Sequence, residues 1–535
     1  MGGPRDEDPP VLLESSPVTQ SLNVKPEEIT LTFDEYVKLE NPSKGIVITP
    51  RINNDEVEFS ALKNIVTIKL NQELEDSTTY VFNFQKSIVD ISEENPAENL
   101  KLVFSTGNSI DSLGISGTVG YYFPPSKPDF SNIIVGIYPL GDTTDVFTAP
   151  PYYLSQPDTT GNFNITNIKS GNYLAYAWKD LNGTLKAEFK SEEYDFILDT
   201  LVIEKNIENV RFNLSKADLT PIRILRTSQF GKNFDIILNR DPTEITLESP
   251  ELGKEFFYTF SENRLRIYTT KTKEDSIPFQ ISLQDSVGFT QDSLIWAKFA
   301  DSDRKPDKLQ ITANSGKSFL NNLEIELKFN KPIKDINFDS LYITYDTASR
   351  IPITPSMLLF EDSTKMDLLK IKISLPDSLK QDIFTIKASD STFYDVEGQY
   401  NESELSANYR KLKRENLADE ISGRIIGAKP PFIIQLLNTK GELVAEQFLT
   451  NSDSYSFQLL EAGTFKIRVI EDSNGNKRWD PANFFEKRNA ERVFYFVNNE
   501  NKEDLVIRSG WSLSEQNIQA ITQTGINKIP VDNKD

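Results

Sequence analysis

The chain is 535 residues long, carries 58 basic against 80 acidic side chains for a formal charge of -22, and contains neither cysteine nor histidine. Those absences exclude disulfide staples, thiolate chemistry, Ser-His or Cys-His nucleophiles and imidazole metal sites, leaving carboxylate, lysine, tyrosine or hydroxyl groups for any chemistry. The acidic field repels a phosphate backbone and no basic stripe reverses it locally, so no nucleic-acid partner is expected.

This length exceeds a single core and implies roughly three to five domains. No segment reaches the run of about 18 apolar residues that a membrane helix needs. Residues 1–10, rich in proline and charge, read as a disordered lead. They hold no apolar signal region.

A first module is expected over 11–109. Ile29, Leu31 and Phe33 alternate with Thr30 and Thr32, the period-two pattern of a half-buried strand. Val66, Ile68 and Leu70 repeat it, and Tyr80–Phe84 reads as a closing strand. The same order returns over 304–416, where Leu323, Ile325, Leu327 and Phe329 alternate with charged residues. A divergent copy spans 219–303, with Phe234–Leu238 and Phe279–Leu283 as strands. Short strands punctuated by Gly, Pro, Asn and Asp favour β-sandwiches over helical folds.

A second module type is expected over 113–216 and 417–524, with 525–535 as a polar tail. Ile115-Ser116-Gly117 matches Ile421-Ser422-Gly423, and Asp180-Leu181-Asn182-Gly183 matches Asp472-Ser473-Asn474-Gly475. The first copy carries extra residues in its early loops. The predicted fold class is therefore all-β, a tandem array of five β-sandwich modules, three Ig-like and two of the second type. Short linkers predict a semi-rigid rod or arc.

Two loops stand out chemically. Asp472, Asn474, Asn476 and Asp480 place oxygen groups at intervals around a glycine, which suits Ca²⁺; Asn-Gly is equally a hairpin signal. The earlier copy offers Asp180, Asn182 and Glu188, with Thr184 in place of the third ligand. Tyr121, Tyr122, Phe123, Tyr152 and Tyr153 form an aromatic, proline-rich set suited to docking a protein or glycan, or to filling a seam between modules. Asn314–Ser318 lacks the first glycine of a phosphate loop and precedes a β-pattern, so it is set aside. Adjacent acids such as Glu471-Asp472 carry little weight among so many carboxylates.

The Ile-x-Leu-x-Phe-Asp-x-x-Val motif at 29–37, its copy ending Asn330-Lys331-Pro332-Ile333, and Ser15-Ser16-Pro17 resemble bacterial Ig-like domains of the SbsA type. Gly2–Asp6 followed by Pro9-Pro10 is similar to the mature start of Ig-like-domain lipoproteins of Bacteroidota. The stretch from Asp472 to Pro481 resembles a loop of their prealbumin-like or carboxypeptidase-regulatory-like modules. The resemblance implies an exported outer-membrane lipoprotein whose signal segment and lipidated cysteine precede this chain. It implies a non-catalytic envelope scaffold contacting a protein partner, including assembly or secretion machinery, with membrane contact only through that anchor. The alternative is a carbohydrate-binding array using exposed Tyr with Trp178, Trp479 or Trp511 as stacking platforms.

Overall fold

The computed structural model describes residues 7–376, 378–521 and 524–526. Nearly every regular element is a β-strand, and the single α-helical turn among the described residues is Pro42–Gly45. No helix among them is long and apolar enough to cross a membrane. The chain is a tandem array of Ig-like β-sandwiches.

In the first sandwich the order is Leu12–Ser16, Glu28–Phe33, Ile65–Leu70 and Val57–Leu62 in one sheet, against Val47–Thr49, Thr79–Asn83 and Lys101–Ser105 in the other. The alternation seen at 29–33 becomes packing: Ile29, Leu31 and Phe33 are buried against Val66, Ile68, Phe82 and Phe104. Burial of a full Leu, Ile or Phe side chain contributes about 1.5–3 kcal/mol, so each strand face supplies much of its own reason to form. The fourth sandwich repeats this with Asn322–Phe329 between Ile311–Ala313 and Leu368–Ser374. Leu323, Ile325, Leu327 and Phe329 face its core. The divergent third copy is also a sandwich, its two sheets carried by Asn233–Leu238 and Lys273–Gln284. Its core is closed by Phe234, Phe256, Phe279 and Phe299.

The two second-type modules pair a strand in parallel next to the Ile-Ser-Gly motif. Leu113–Tyr121 runs parallel to Ile207–Lys216, and Leu417–Ile426 runs parallel to Ser512–Leu513 and Ile518–Gln519. The glycine of the motif is required by that approach. A Cβ on Gly117 would lie 1.8 Å from the Val210 carbonyl oxygen, and one on Gly423 would lie 2.1 Å from that of Gln516.

Two expectations are corrected. The modules do not continue as a rod or arc: the fifth folds back onto the second. Part of the cause lies in the strands Ile133–Pro139 and Phe432–Asn438, which are largely apolar on both faces. One face of each fills its own sandwich core, and from the other Ile134, Tyr138 and Ile433 join an apolar cluster shared by the two modules. The start of the supposed polar tail is also structured, since Gly525–Ile526 adds an antiparallel strand to Ile207–Lys216 of the second module. Residues 1–6 of the proposed disordered lead and 527–535 of the tail lie outside the described residues, while Pro10 is already buried.

Candidate functional site: the aromatic seam and the paired aspartate loops

The seam is a sixth apolar core belonging to no single module. Ile134, Tyr176, Trp178, Tyr194 and Phe196 of the second module meet Ile433, Ile470, Ala482, Ala490 and Val493 of the fifth. Phe484 enters as a wedge, with ring centroids 4.9 Å from Phe147, 5.8 Å from Phe196 and 6.0 Å from Tyr176. Polar groups at the rim are paired across the two modules. Tyr194 Oη donates to the Ala482 carbonyl at 3.0 Å, Tyr495 Oη to that of Tyr122 at 3.0 Å, and Asn489 Nδ2 to that of Phe196 at 2.8 Å. The third module is tied in as well, because Arg488 Nη2 and Asn483 Nδ2 donate to the Val287 carbonyl.

Of the five aromatic residues singled out in the sequence, Tyr122 and Tyr153 are buried, Tyr121 and Tyr152 half-buried and Phe123 exposed. Tyr122 is fully buried in the seam, its hydroxyl 3.1 Å from Thr524 Oγ1. Phe123 stands edge-on to Trp479 at 4.8 Å, with the Arg468 guanidinium 4.9 Å from its ring. Tyr153 is buried in the second module's own core. Tyr152 donates its hydroxyl to Glu75 of the first module, and the Arg51 N–H donates to the Tyr152 carbonyl at 2.7 Å. Tyr121 stays within its module, donating to the Asp129 carbonyl at 2.6 Å. A docking role for Tyr122 and Tyr153 is thereby corrected: their rings are enclosed by the chain itself. Among the proposed stacking platforms, Trp178 is buried and Trp479 is packed in the seam, whereas Trp511 is 49% exposed. Trp296, missed in the sequence, is 60% exposed.

The two aspartate loops are built alike. Asp472 accepts the Asn476 and Lys477 backbone N–H groups at 3.0 and 2.9 Å; Asp180 accepts those of Thr184 and Leu185 at 3.0 and 2.9 Å. Each loop is braced by a glutamate that sequence reasoning passed over. Glu491 accepts N–H groups of Ser473 and Asp480, and Glu192 accepts those of Leu181 and Glu188. The signal was available, for each stands two residues before the strand residue, Tyr194 or Val493, that enters the seam. Burial, then the charges of Asp480 and Asp472, pushes the Glu491 carboxyl up to about 7.

As a calcium cage the later loop is poorly disposed. The side-chain oxygens of Asn474 and Asn476 accept the N–H groups of Asn476 and Arg478, both at 3.0 Å, which fixes their amide orientation. Their amide nitrogens consequently face Asp480 Oδ2, at 2.6 and 2.8 Å. N–H groups stand where a cation would have to sit, and the loop is closed by its own hydrogen bonds. Among the described residues no group of three or more acidic side chains is placed to hold a metal ion. The residues as arranged do not fit Ca²⁺.

Residues 6–106 match the bacterial Ig-like domain family (Big_5). No curated protein matches the chain. Among solved structures, it is similar to latent PorU from Porphyromonas gingivalis, at 9% identity and a TM-score of 0.24, covering 51% of this chain and 35% of that one. It thus spans about a third of PorU's length. A second likeness is to SGBP-B of the Bacteroides ovatus mixed-linkage glucan utilization locus, in complex with a mixed-linkage heptasaccharide, at 12% identity, TM-score 0.17, covering 67% of this chain and 90% of that one. A third is to the S-layer protein SbsC, at 12% identity, TM-score 0.14, covering 85% and 65%. With TM-scores of 0.24 or less, none of the three establishes a shared fold or role.

Proposed function

We propose that this chain is a non-catalytic scaffold of the cell envelope, which holds its β-sandwiches in one fixed arrangement and offers their outer surfaces to a protein partner. The observation that supports this reading is the seam. A core of aromatic side chains shared by the second and fifth modules, with the third hydrogen-bonded to its rim, makes the array a rigid frame. Export, an upstream lipid anchor and an outer-membrane partner are taken from the resemblance to Ig-like-domain lipoproteins of Bacteroidota, and form part of the proposal.

The surface put forward for the partner lies on the third module. Its strands Ile224–Phe230 and Thr290–Phe299 run alongside each other, joined by Ile224 N–H to Gln291 Oε1 at 2.9 Å. They leave Leu225, Leu294 and Trp296 exposed. Large exposed apolar side chains on neighbouring strands suit a protein contact better than isolated ones do. Affinity capture from detergent-solubilised envelopes tests this: Trp296→Ala should lose a partner that the unaltered chain retains, and equal capture by both would refute the assignment.

A second reading has one supporting observation. Trp511 is half exposed with the Arg508 guanidinium 5.2 Å from its ring, an arrangement able to stack a sugar. Isothermal titration against a glycan panel separates the two readings, since the scaffold gives no heat.

A further inference from the structure

Lys331 follows the fourth module's alternating strand and is the single lysine among the buried polar residues described, with 1% of its surface exposed. Its Nζ lies 3.1 Å from Asp395 Oδ2 and 2.8 Å from Glu397 Oε2, and both carboxylates are nearly enclosed. Close as they are, neither Lys331 Nζ nor Asp395 Oδ2 has a partner in hydrogen-bond geometry. The other oxygen, Asp395 Oδ1, is held by the backbone N–H groups of Glu397 and Gln399 at 2.9 and 2.8 Å. Glu397 is itself fixed from the third module, where Asn233 Nδ2 donates to its Oε1 at 2.8 Å.

The first module provides a control within the same chain. There Asp90 pairs with Val37 as Asp395 pairs with Ile333. Both oxygens of Asp90 accept backbone N–H groups, Oδ1 those of Glu93 and Glu94 and Oδ2 that of Asn95. The position matching Lys331 is Glu35, which has no amine. The fourth module has thus released one carboxylate oxygen and set an amine against it.

We propose that Lys331 and Asp395 are joined by an intramolecular amide bond formed within the folded fourth module, with Glu397 as the proton carrier. Glu397 takes a proton from the ammonium, and the neutral Nζ attacks Asp395 Cγ. The negative charge that develops on Oδ1 is met by the two backbone N–H groups already directed at it. Glu397 returns the proton to Oδ2, carries a second from the attacking nitrogen to the same oxygen, and the Cγ–Oδ2 bond breaks. Two of the three ammonium protons depart with that oxygen as water; the third remains on the amide, and no oxidant or co-reactant is required. Burial favours the step: it pushes the Asp395 carboxyl up, towards the neutral form that can lose water, and disfavours a persistent ion pair. Holding amine and carboxyl in contact supplies the effective concentration that the uncatalysed condensation lacks.

Mass spectrometry of the intact, denatured full-length chain tests the proposal. The expected mass is lower than that of the sequence by one water, with a branched peptide joining the segments that contain Lys331 and Asp395, and no such peptide at Asp90. Glu397→Gln should restore the full sequence mass while the circular dichroism stays that of a β-protein, and Lys331→Met should do the same. An unaltered chain at its full sequence mass overturns the proposal, as does a lost water that maps elsewhere. A Glu397→Gln variant that still carries the branched peptide overturns the mechanism.

Discussion

Phe484→Ala is the perturbation that bears most directly on the seam. The ring lies outside the fifth module's own core and touches Phe147, Tyr176 and Phe196 of the second. A phenyl side chain buries about 150–250 Å², which at about 25 cal/mol per Å² bounds the loss near 4–6 kcal/mol. The ring is only partly enclosed and its pocket can relax, so about 3 kcal/mol is the expected weakening of docking. That corresponds to about a hundredfold rise in the open fraction. Hydrogen exchange followed by mass spectrometry reads it locally. Residues 481–491 should exchange faster in the variant, while the strands Phe432–Asn438 and Gly463–Glu471 keep their protection. Unchanged exchange over 481–491 would refute the claim that this wedge holds the modules together.

Other consequences can be checked separately. Asp195, fully buried and accepting from Asn213 and Thr524, is pushed up to about 7 by burial, as is Glu491. Both folded-state values lie above those of the unfolded chain, so the folded form binds more protons between about pH 4 and 7 and its stability falls as pH rises through that window. Thermal melts at pH 5 and 8 should therefore show the higher Tm at pH 5, and the reverse order would contradict the burial of these groups. Gly117→Ala forces a methyl into the Val210 carbonyl, and should cost about 2 kcal/mol or more by denaturant titration. A variant as stable as the parent would mean that the two strands are not paired as described. Millimolar Ca²⁺ should leave the melting temperature unmoved, because the amide N–H groups of Asn474 and Asn476 already occupy Asp480 Oδ2; a clear upward shift would restore the metal reading.

The sandwiches were legible because their strands keep a strict two-residue period. Ile29, Leu31 and Phe33, or Leu323 through Phe329, announce a buried and an exposed face without reference to any other module. The repeated Ile-Ser-Gly and Asp-x-Asn-Gly motifs were legible for a related reason, each being required by a local backbone arrangement. A seam was read as one use of the aromatic set, but not the fold-back of the fifth module onto the second, although its sign was present. Ile133–Tyr138 and Phe432–Leu437 are nearly unbroken apolar runs, the mark of strands covered on both faces, but a run does not say what covers it. Of the tyrosines noticed there, the fold-back encloses Tyr122, whereas Tyr153 is enclosed by the second module's own core. Lys331 was visible only as part of a family-like motif; its meeting with Asp395 and Glu397 depends on a strand pairing distant in sequence.

Small-angle X-ray scattering from the full chain in solution tests the central claim most directly. The account predicts a pair-distance distribution matching the arrangement in which the fifth module lies on the second. A distribution with the long tail of five sandwiches strung end to end would contradict it.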